Sequence, residues 1–384
     1  MAESYDVIVL GCGGVGSSAL WQLAKRGVRV LGIEQFGPAH DRGSSHGQTR
    51  IIRQAYFEHP DYVPLALRAY ERWQELADES QSRLFELVGL LQVGPAEGAV
   101  IPGVLRAAEE HRLSVDSLTA AEIRERFPAF RPEENTVGLF ESRAGFLHVE
   151  RCVAAALDAA RRHGAECHFH ETVHSWSVRD SHVEVVTDRA TYHADRLIVT
   201  AGAWAGQLLE GLGLRLQVLR KPQLWYRTAN DALRVEAGCP TYLFETDDGI
   251  FYGFPQLDQY GVKVAEHTGG VPVTDPLKVD REVTPSDRTR VEAFAARYLN
   301  GVSHDCTRSS VCMYTMTPDA HFVVDRHPKW PQVALAAGLS GHGFKFVPVL
   351  GEALVDLAME GSTSLPIEFL GLRRHLIAPD TMSS

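Results

Sequence analysis

The chain has 384 residues, of which 45% are hydrophobic and 23% charged, and a formal net charge of −11. This length favours two domains over one small core, and the composition supports a large buried interior and argues against disorder. The acidic balance excludes a general nucleic-acid binder, though not a locally basic pocket. Six cysteines (Cys12, Cys152, Cys167, Cys239, Cys306 and Cys312) are scattered without any C-x-x-C pair, which speaks against a disulfide scaffold or a thiol-rich zinc site. No apolar run approaches the roughly 20 residues that cross a bilayer. The opening MAESYDVIVLG enters a strand with no basic leader, so a cytoplasmic protein without membrane or nucleic-acid partners is expected.

Residues 5–10 read as a buried strand, 17–26 as a helix stopped by Gly27, and 28–34 as a second strand ending at Glu34. Strand, glycine turn, helix and strand make a βαβ unit and hence a parallel sheet. Within the turn, Gly11 permits the tight bend, Gly13 lets backbone approach a pyrophosphate, and Gly16 allows close helix–strand packing, with the phosphate charge at the helix N-terminus. Glu34 is placed to accept hydrogen bonds from a ribose diol and would repel a 2′-phosphate. The pattern disfavours NADP but leaves FAD and NAD open.

Farther along, Val63, Leu67, Tyr70, Trp73 and Leu76 give residues 62–79 a helical spacing. Residues 84–94 read as a strand region, Thr119 caps a short helix ended by Pro128, and 148–163 form a helix closed by Gly164. Four strand-like segments fill 165–200, a helix follows Trp204, and 221–274 is a run of short strands. A helix over 284–300, a buried strand over 333–337 and a helix over 347–360 complete the chain. Parallel-type pieces lie at the start, middle and end, with antiparallel-looking pieces between them. The expected fold is α/β, a Rossmann-type domain interleaved with an α+β domain that carries a mixed sheet.

Residues 44–53, SSHGQTRIIR, place His46, Arg50 and Arg53 among small side chains. Such a loop either holds an anion or is simply a solvated basic segment. GLSGHGFKF offers Gly341, Gly343 and Lys345, the lysine either binding a carboxylate or exposed. Lys263 lies between Val262 and Val264, so it faces either solvent or a cavity, and His267 follows it. His168, His170 and His174 lack a carboxylate or cysteine to complete a metal set and read as a solvated strand face, so no metal is expected. Cys312, in SSVCMYTMTPD, is either a buried small hydrophobe or a nucleophile.

Taken together, GCGGVGSSALWQLAKRGVRVLGIE, GSSHGQTRIIRQAY, DYVPLALRAYERW, LIVTAGAW, GIFYGFP, VCMYTMTPD and AGLSGHGFKF resemble the monomeric sarcosine oxidase and N-methyltryptophan oxidase family, in family order over nearly the whole chain. The resemblance implies an FAD-binding domain (1–84, 145–220 and 319–384) and a substrate domain (85–144 and 221–318). It implies FAD joined by a thioether from Cys312 to the flavin 8α-methyl, with Gly11, Gly13, Gly16, Glu34, His46, Thr49, Arg50, Gly341, Gly343 and Lys345 around the cofactor. Arg53 and Lys345 match the pair that holds the substrate carboxylate, Tyr252 and His267 line the substrate pocket, and Arg50 lies near the reactive part of the ring. Lys263 matches the lysine that activates oxygen, and Tyr314 the tyrosine beside the linkage. Met316 stands where sarcosine oxidases carry lysine, and Ser45 where a second histidine is expected.

The implied activity is oxidation of a secondary N-methyl amino acid by oxygen, giving primary amino acid, formaldehyde and hydrogen peroxide, by a monomer. Activity should rise with pH as the amine loses its proton. An oxidase of a cyclic imino acid or glycated amino acid, and a non-catalytic dinucleotide sensor, are the alternatives.

Overall fold

The computed structural model describes residues 4–376. Strand Ser4–Leu10 pairs in parallel with Val30–Glu34 on one side and Thr191–Val199 on the other, and Val30–Glu34 pairs in parallel with Glu166–Phe169. The first residues of Thr191–Val199 also pair antiparallel with His182–Thr187, and its last three pair in parallel with Val333–Ala337, completing an eight-stranded sheet with Val173–Arg179 and Val323–Arg326.

Alternation along the first strand explains its unbroken apolar run. Val7 and Val9 pack with the helices Gly14–Lys25, Val149–Arg162 and Val347–Met359, while Ile8 and Leu10 pack on the opposite face with Val183, Val185 and Leu212. Both faces are buried, so both sets of positions must be apolar.

A second, nine-stranded sheet is antiparallel except where Thr241–Thr246 pairs with Leu90–Pro95. Its longest strand, Val302–Met316, runs antiparallel along Gln217–Thr228 and sets Cys312 opposite Lys221. A small third sheet pairs Thr49–Ile52 and Phe85–Glu86 with the two edges of Gly145–His148. It fixes the segment from which Arg50 and Arg53 project.

The first helix begins at Gly14, three residues before the expected start, because the glycine turn already has helical geometry beyond Gly13. Ala120–Arg126 is capped by Thr119, whose Oγ1 accepts from Glu122 N at 3.3 Å while its own N–H donates to Glu122 Oε2 at 2.7 Å. The helix following Trp204 is a single turn, Ala205–Leu208. Helix Val100–His111 has no counterpart in the sequence reading, and it contains Pro102 and Gly103, residue types that ordinarily disfavour a helix. Pro102 lies in the first turn, where no amide is needed, and a Cβ at Gly103 would sit 2.5 Å from the Phe57 carbonyl oxygen.

His170 and His174 are exposed, as a solvated strand face requires, and His168 is partly exposed. Its ring nitrogens lie 2.7 Å from Glu166, 3.0 Å from Tyr192 and 3.3 Å from Glu171, a carboxylate that is 1% exposed.

Candidate active site

One elongated cavity connects the two ends of the expected site. It begins at Gly11, Gly13 and Glu34, passes Arg50 and Cys312, and ends among Arg53, Tyr252, His267 and Lys345, with Gly341 and Gly343 along its wall. Gly16, His46, Thr49 and Lys263 do not line it and lie behind the wall.

At the first end, Gly11 has φ +86°, and a Cβ there would lie 2.7 Å from Thr200 O. A Cβ on Gly16 would lie 1.8 Å from Gly11 O, so helix and strand can approach only with glycine. A Cβ on Gly13 would meet nothing closer than Ser45 Oγ at 3.9 Å; this side faces the cavity. Ser45, in place of the expected histidine, accepts from Gly14 N at 3.2 Å. Glu34 is buried, and its oxygens accept from Cys12 N and Phe36 N, each at 3.0 Å, which fixes the carboxylate at the cavity edge. Trp204 lines the same end with its buried Nε1 unpartnered. An open backbone cradle, a fixed carboxylate and an orphaned donor fit the phosphates and ribose of a dinucleotide.

Midway, Cys312 is 1% exposed, and its sulfur lies 3.2 Å from Arg50 Nη2. Burial pushes the thiol up, but the Arg50 guanidinium, then His46 and Lys263, outweigh it and bring Cys312 down to about 6. Arg50 is held by the carbonyls of Thr49 at 2.8 Å and Ser44 at 3.0 Å. His46 is 2% exposed, with Nδ1 3.3 Å from Ser310 Oγ. This environment favours the thiolate, which is the nucleophilic form.

Lys263 is 1% exposed, so the solvent-facing alternative is excluded. Its Nζ donates to Gly47 O at 2.5 Å and Thr49 O at 3.0 Å, and lies over the rings of Trp225 and Phe254 at 5.2 and 5.0 Å.

At the far end, the rings of Tyr252 and Tyr314 flank His267, at 6.5 and 5.7 Å. Burial holds the His267 imidazole down to about 3, so it is neutral near pH 7. Lys345 donates to His342 O at 2.7 Å and Tyr56 Oη at 3.3 Å; burial first, then Arg53, bring it to about 7. A carboxylate entering here would restore its charge. Arg53 is 3% exposed and already engaged: Nη2 donates to both oxygens of Glu58 at 2.6 Å, and the guanidinium lies 4.2 and 4.4 Å from the Tyr56 and Phe57 rings. Met316, half-buried at the end of its strand, is not on the cavity wall.

Two residues of this end escaped the sequence reading. Glu58 lies five residues beyond Arg53, and a charge-partner search along RQAYFE would have raised it. Lys221, 4% exposed, donates to the carbonyls of His267, Thr268 and Gly269 at 3.1, 2.7 and 3.1 Å and so fixes the turn bearing His267. An Arg220-Lys221 pair inside a strand was its only signal.

Comparison with known proteins accords with this geometry. Residues 6–357 match the DAO family, described as FAD dependent oxidoreductase. The chain is 43% identical to a monomeric sarcosine oxidase of Streptomyces avermitilis, covering 99% of this chain and 100% of that one. It is 35% identical to an N-methyl-L-tryptophan oxidase of Yersinia pestis, covering 96% and 99%. The solved structure of NikD, an unusual amino acid oxidase essential for nikkomycin biosynthesis, superposes with a TM-score of 0.85 at 27% identity, over 96% of this chain and 97% of that one. Fold, cradle and sequence agree, and the chain belongs to the DAO family of FAD-dependent oxidoreductases.

Proposed function

We propose that this protein is an FAD-dependent oxidase of a secondary N-methyl amino acid, of the sarcosine or N-methyl-L-tryptophan kind, with FAD joined through Cys312. The observation that carries the reading is the single cavity leading from a dinucleotide cradle, past a thiol whose ionisation is favoured by Arg50, to a buried pair of cations, Arg53 and Lys345. The strands of the eight-stranded sheet all fall within 1–84, 145–220 and 319–384, which supports those segments as the FAD-binding domain. Those of the nine-stranded sheet fall within 85–144 and 221–318, except that Gln217–Thr228 straddles the boundary. Among the described residues no helix is long and apolar enough to cross a membrane. A monomer acting on an amino acid and oxygen completes the proposal; the sarcosine oxidase relative is named as monomeric, and both relatives are named as oxidases.

When bound, FAD supplies the redox chemistry, taking a hydride equivalent from the carbon beside nitrogen and passing two electrons to oxygen, which with two protons becomes hydrogen peroxide. The chain's residues bind and orient. Arg53 and Lys345 grip the carboxylate, which fixes the nitrogen end of the substrate relative to Tyr252, Tyr314 and His267. Neutral His267 adds no positive charge to oppose an amine, and the amine reacts in its deprotonated form, so flavin reduction is expected to accelerate as pH rises. Water then hydrolyses the imine to primary amino acid and formaldehyde. Lys263 provides a fixed cation where oxygen gains negative charge, and Lys263→Met is expected to slow reoxidation by about a hundredfold while reduction by substrate changes far less. Stopped-flow measurement of the two half-reactions checks this; equal slowing of both removes the role.

The deciding experiment mixes the purified protein anaerobically with sarcosine, N-methyl-L-tryptophan, L-proline, L-pipecolate and a fructosyl amino acid while flavin absorbance is followed. Bleaching by the N-methyl compounds is expected. Bleaching only by the cyclic or glycated compounds reassigns the substrate, and a colourless protein overturns the reading.

A further inference from the structure

We infer that Glu150 is the counter-charge of Lys263, acting on it through the Gly47–Gln48 peptide group, and is thereby a positioning residue for the reaction with oxygen. This rests on the assignment of Lys263 above. Glu150 is the second residue of helix Val149–Arg162. Its Oε1 accepts from Gly47 N at 2.7 Å, and both its oxygens accept from Gln48 N at 3.1 Å. On the opposite side, Lys263 Nζ donates to Gly47 O at 2.5 Å. The Gly47 carbonyl and the Gln48 N–H belong to one planar peptide group and point in opposite directions. Its positive end therefore meets a carboxylate and its negative end an ammonium, each attraction polarising the group in favour of the other.

The arrangement is built rather than incidental. Gly47 and Gln48 both have left-handed backbones, φ +88° and +71°, and Gln48 is not a glycine. A Cβ at Gly47 would lie 1.9 Å from Gln223 Oε1. The Gln48 side chain is clamped at both ends, its Oε1 accepting from Trp225 Nε1 and its Nε2 donating to Asp258, each at 2.7 Å. Thus the turn holds a strained conformation that directs one peptide between two charges.

Lys263 needs such a partner. It is enclosed by Trp225 and Phe254 and has no carboxylate within direct contact among its hydrogen bonds. The charged and titratable groups facing it are Arg50 from the small sheet, Arg308 and Cys312 from the long strand, and Glu150 from the helix. Burial, then Arg50, pull its ammonium well below the ordinary range; Glu150 is the foremost group acting against them. A cation that stabilises charge on oxygen must remain protonated to do so.

The test is Glu150→Gln in the holoenzyme, which keeps an acceptor for the turn but removes the charge. The chain contains six lysines, so their side-chain NMR signals are separable, with Lys263 assigned by its loss in Lys263→Met. The Lys263 titration midpoint is expected to fall by about one pH unit, a tenfold change in its protonation equilibrium. Reoxidation by oxygen should slow about tenfold above that midpoint and recover as pH is lowered, with flavin reduction by substrate as the internal reference. In the Lys263→Met background, Glu150→Gln should add no further slowing, because the two act as one unit. An unchanged Lys263 midpoint, or an additive loss in the double variant, overturns the proposal. If Lys263→Met leaves reoxidation intact, the oxygen role fails while the NMR shift still decides the coupling. Should Glu150→Gln not accumulate as holoenzyme, Glu150→Asp, which keeps the charge at shorter reach, must shift the midpoint less and in the same direction.

Discussion

Cys312→Ala is expected to leave all of its flavin in the supernatant after acid precipitation, where the parent protein gives a yellow pellet. Acid unfolding releases a cofactor held by hydrogen bonds and packing but does not break a thioether. The physical case for the bond is the sulfur's environment. With Arg50 Nη2 at 3.2 Å, and His46 and Lys263 adding to it, the thiol is brought down to about 6 despite full burial. At neutral pH the thiolate is then favoured, whereas a free cysteine is only a few per cent thiolate. Two further results follow from the sign of this shift. Linkage in apoprotein given free FAD should accelerate as pH rises through about 6 and level off above it. Arg50→Gln removes the largest favourable charge, so linkage at neutral pH should slow at least tenfold. A colourless pellet from the parent protein would refute the bond, and a linkage rate indifferent to Arg50 would refute its cause.

The route to Cys312 shows what the sequence made legible. The βαβ unit with its glycine turn stood out because local sterics dictate it: Gly11 and Gly16 occupy places where any side chain collides with backbone. Interleaving was readable because buried parallel strands carry unbroken apolar runs, as in YDVIVL and VALAA. The 15-residue strand Val302–Met316 was not readable. Its first half, VSHDCTRS, is polar and exposed or only partly buried, and its pairing with Gln217–Thr228 is about 90 residues distant in sequence. The cations of the site were visible as residue types, yet their surroundings decide what they do, and those arrive from other elements. Lys263 was ambiguous between solvent and interior until Trp225 and Phe254 closed over it. Glu150 is an acidic residue in the first turn of a helix, a place where carboxylates are favoured in any case. Only the position of the 47–49 turn gives it another meaning. Contacts made only in the tertiary structure leave no periodic trace in a sequence, which is why Glu150 and Lys221 were missed, whereas Glu58 lies close enough to Arg53 in the chain to have been found.

Arg53→Met is expected to raise KM for the amino acid by about a hundredfold, with a much smaller change in kcat. A charge-assisted pair to a carboxylate in a dry site contributes about 1.5–3 kcal/mol, and the grip is made in ground state and transition state alike. The more discriminating variant is Glu58→Gln. Glu58 presents both of its oxygens to Arg53 at 2.6 Å, in the way a substrate carboxylate would. Substrate must therefore displace Glu58 or share the guanidinium with it, and either course costs affinity. Neutralising Glu58 weakens the competitor without touching Arg53, so KM should fall several-fold and a carboxylate-bearing competitive inhibitor should bind more tightly by the same factor. The stacking of Tyr56 and Phe57 on the guanidinium, at 4.2 and 4.4 Å, keeps Arg53 in position once Glu58 lets go. In an Arg53→Met background the same change should have no effect on KM, because there is no guanidinium left to compete for. If Glu58→Gln raises KM instead, the carboxylate serves to hold Arg53 in its binding pose, and the competition between Glu58 and substrate is refuted.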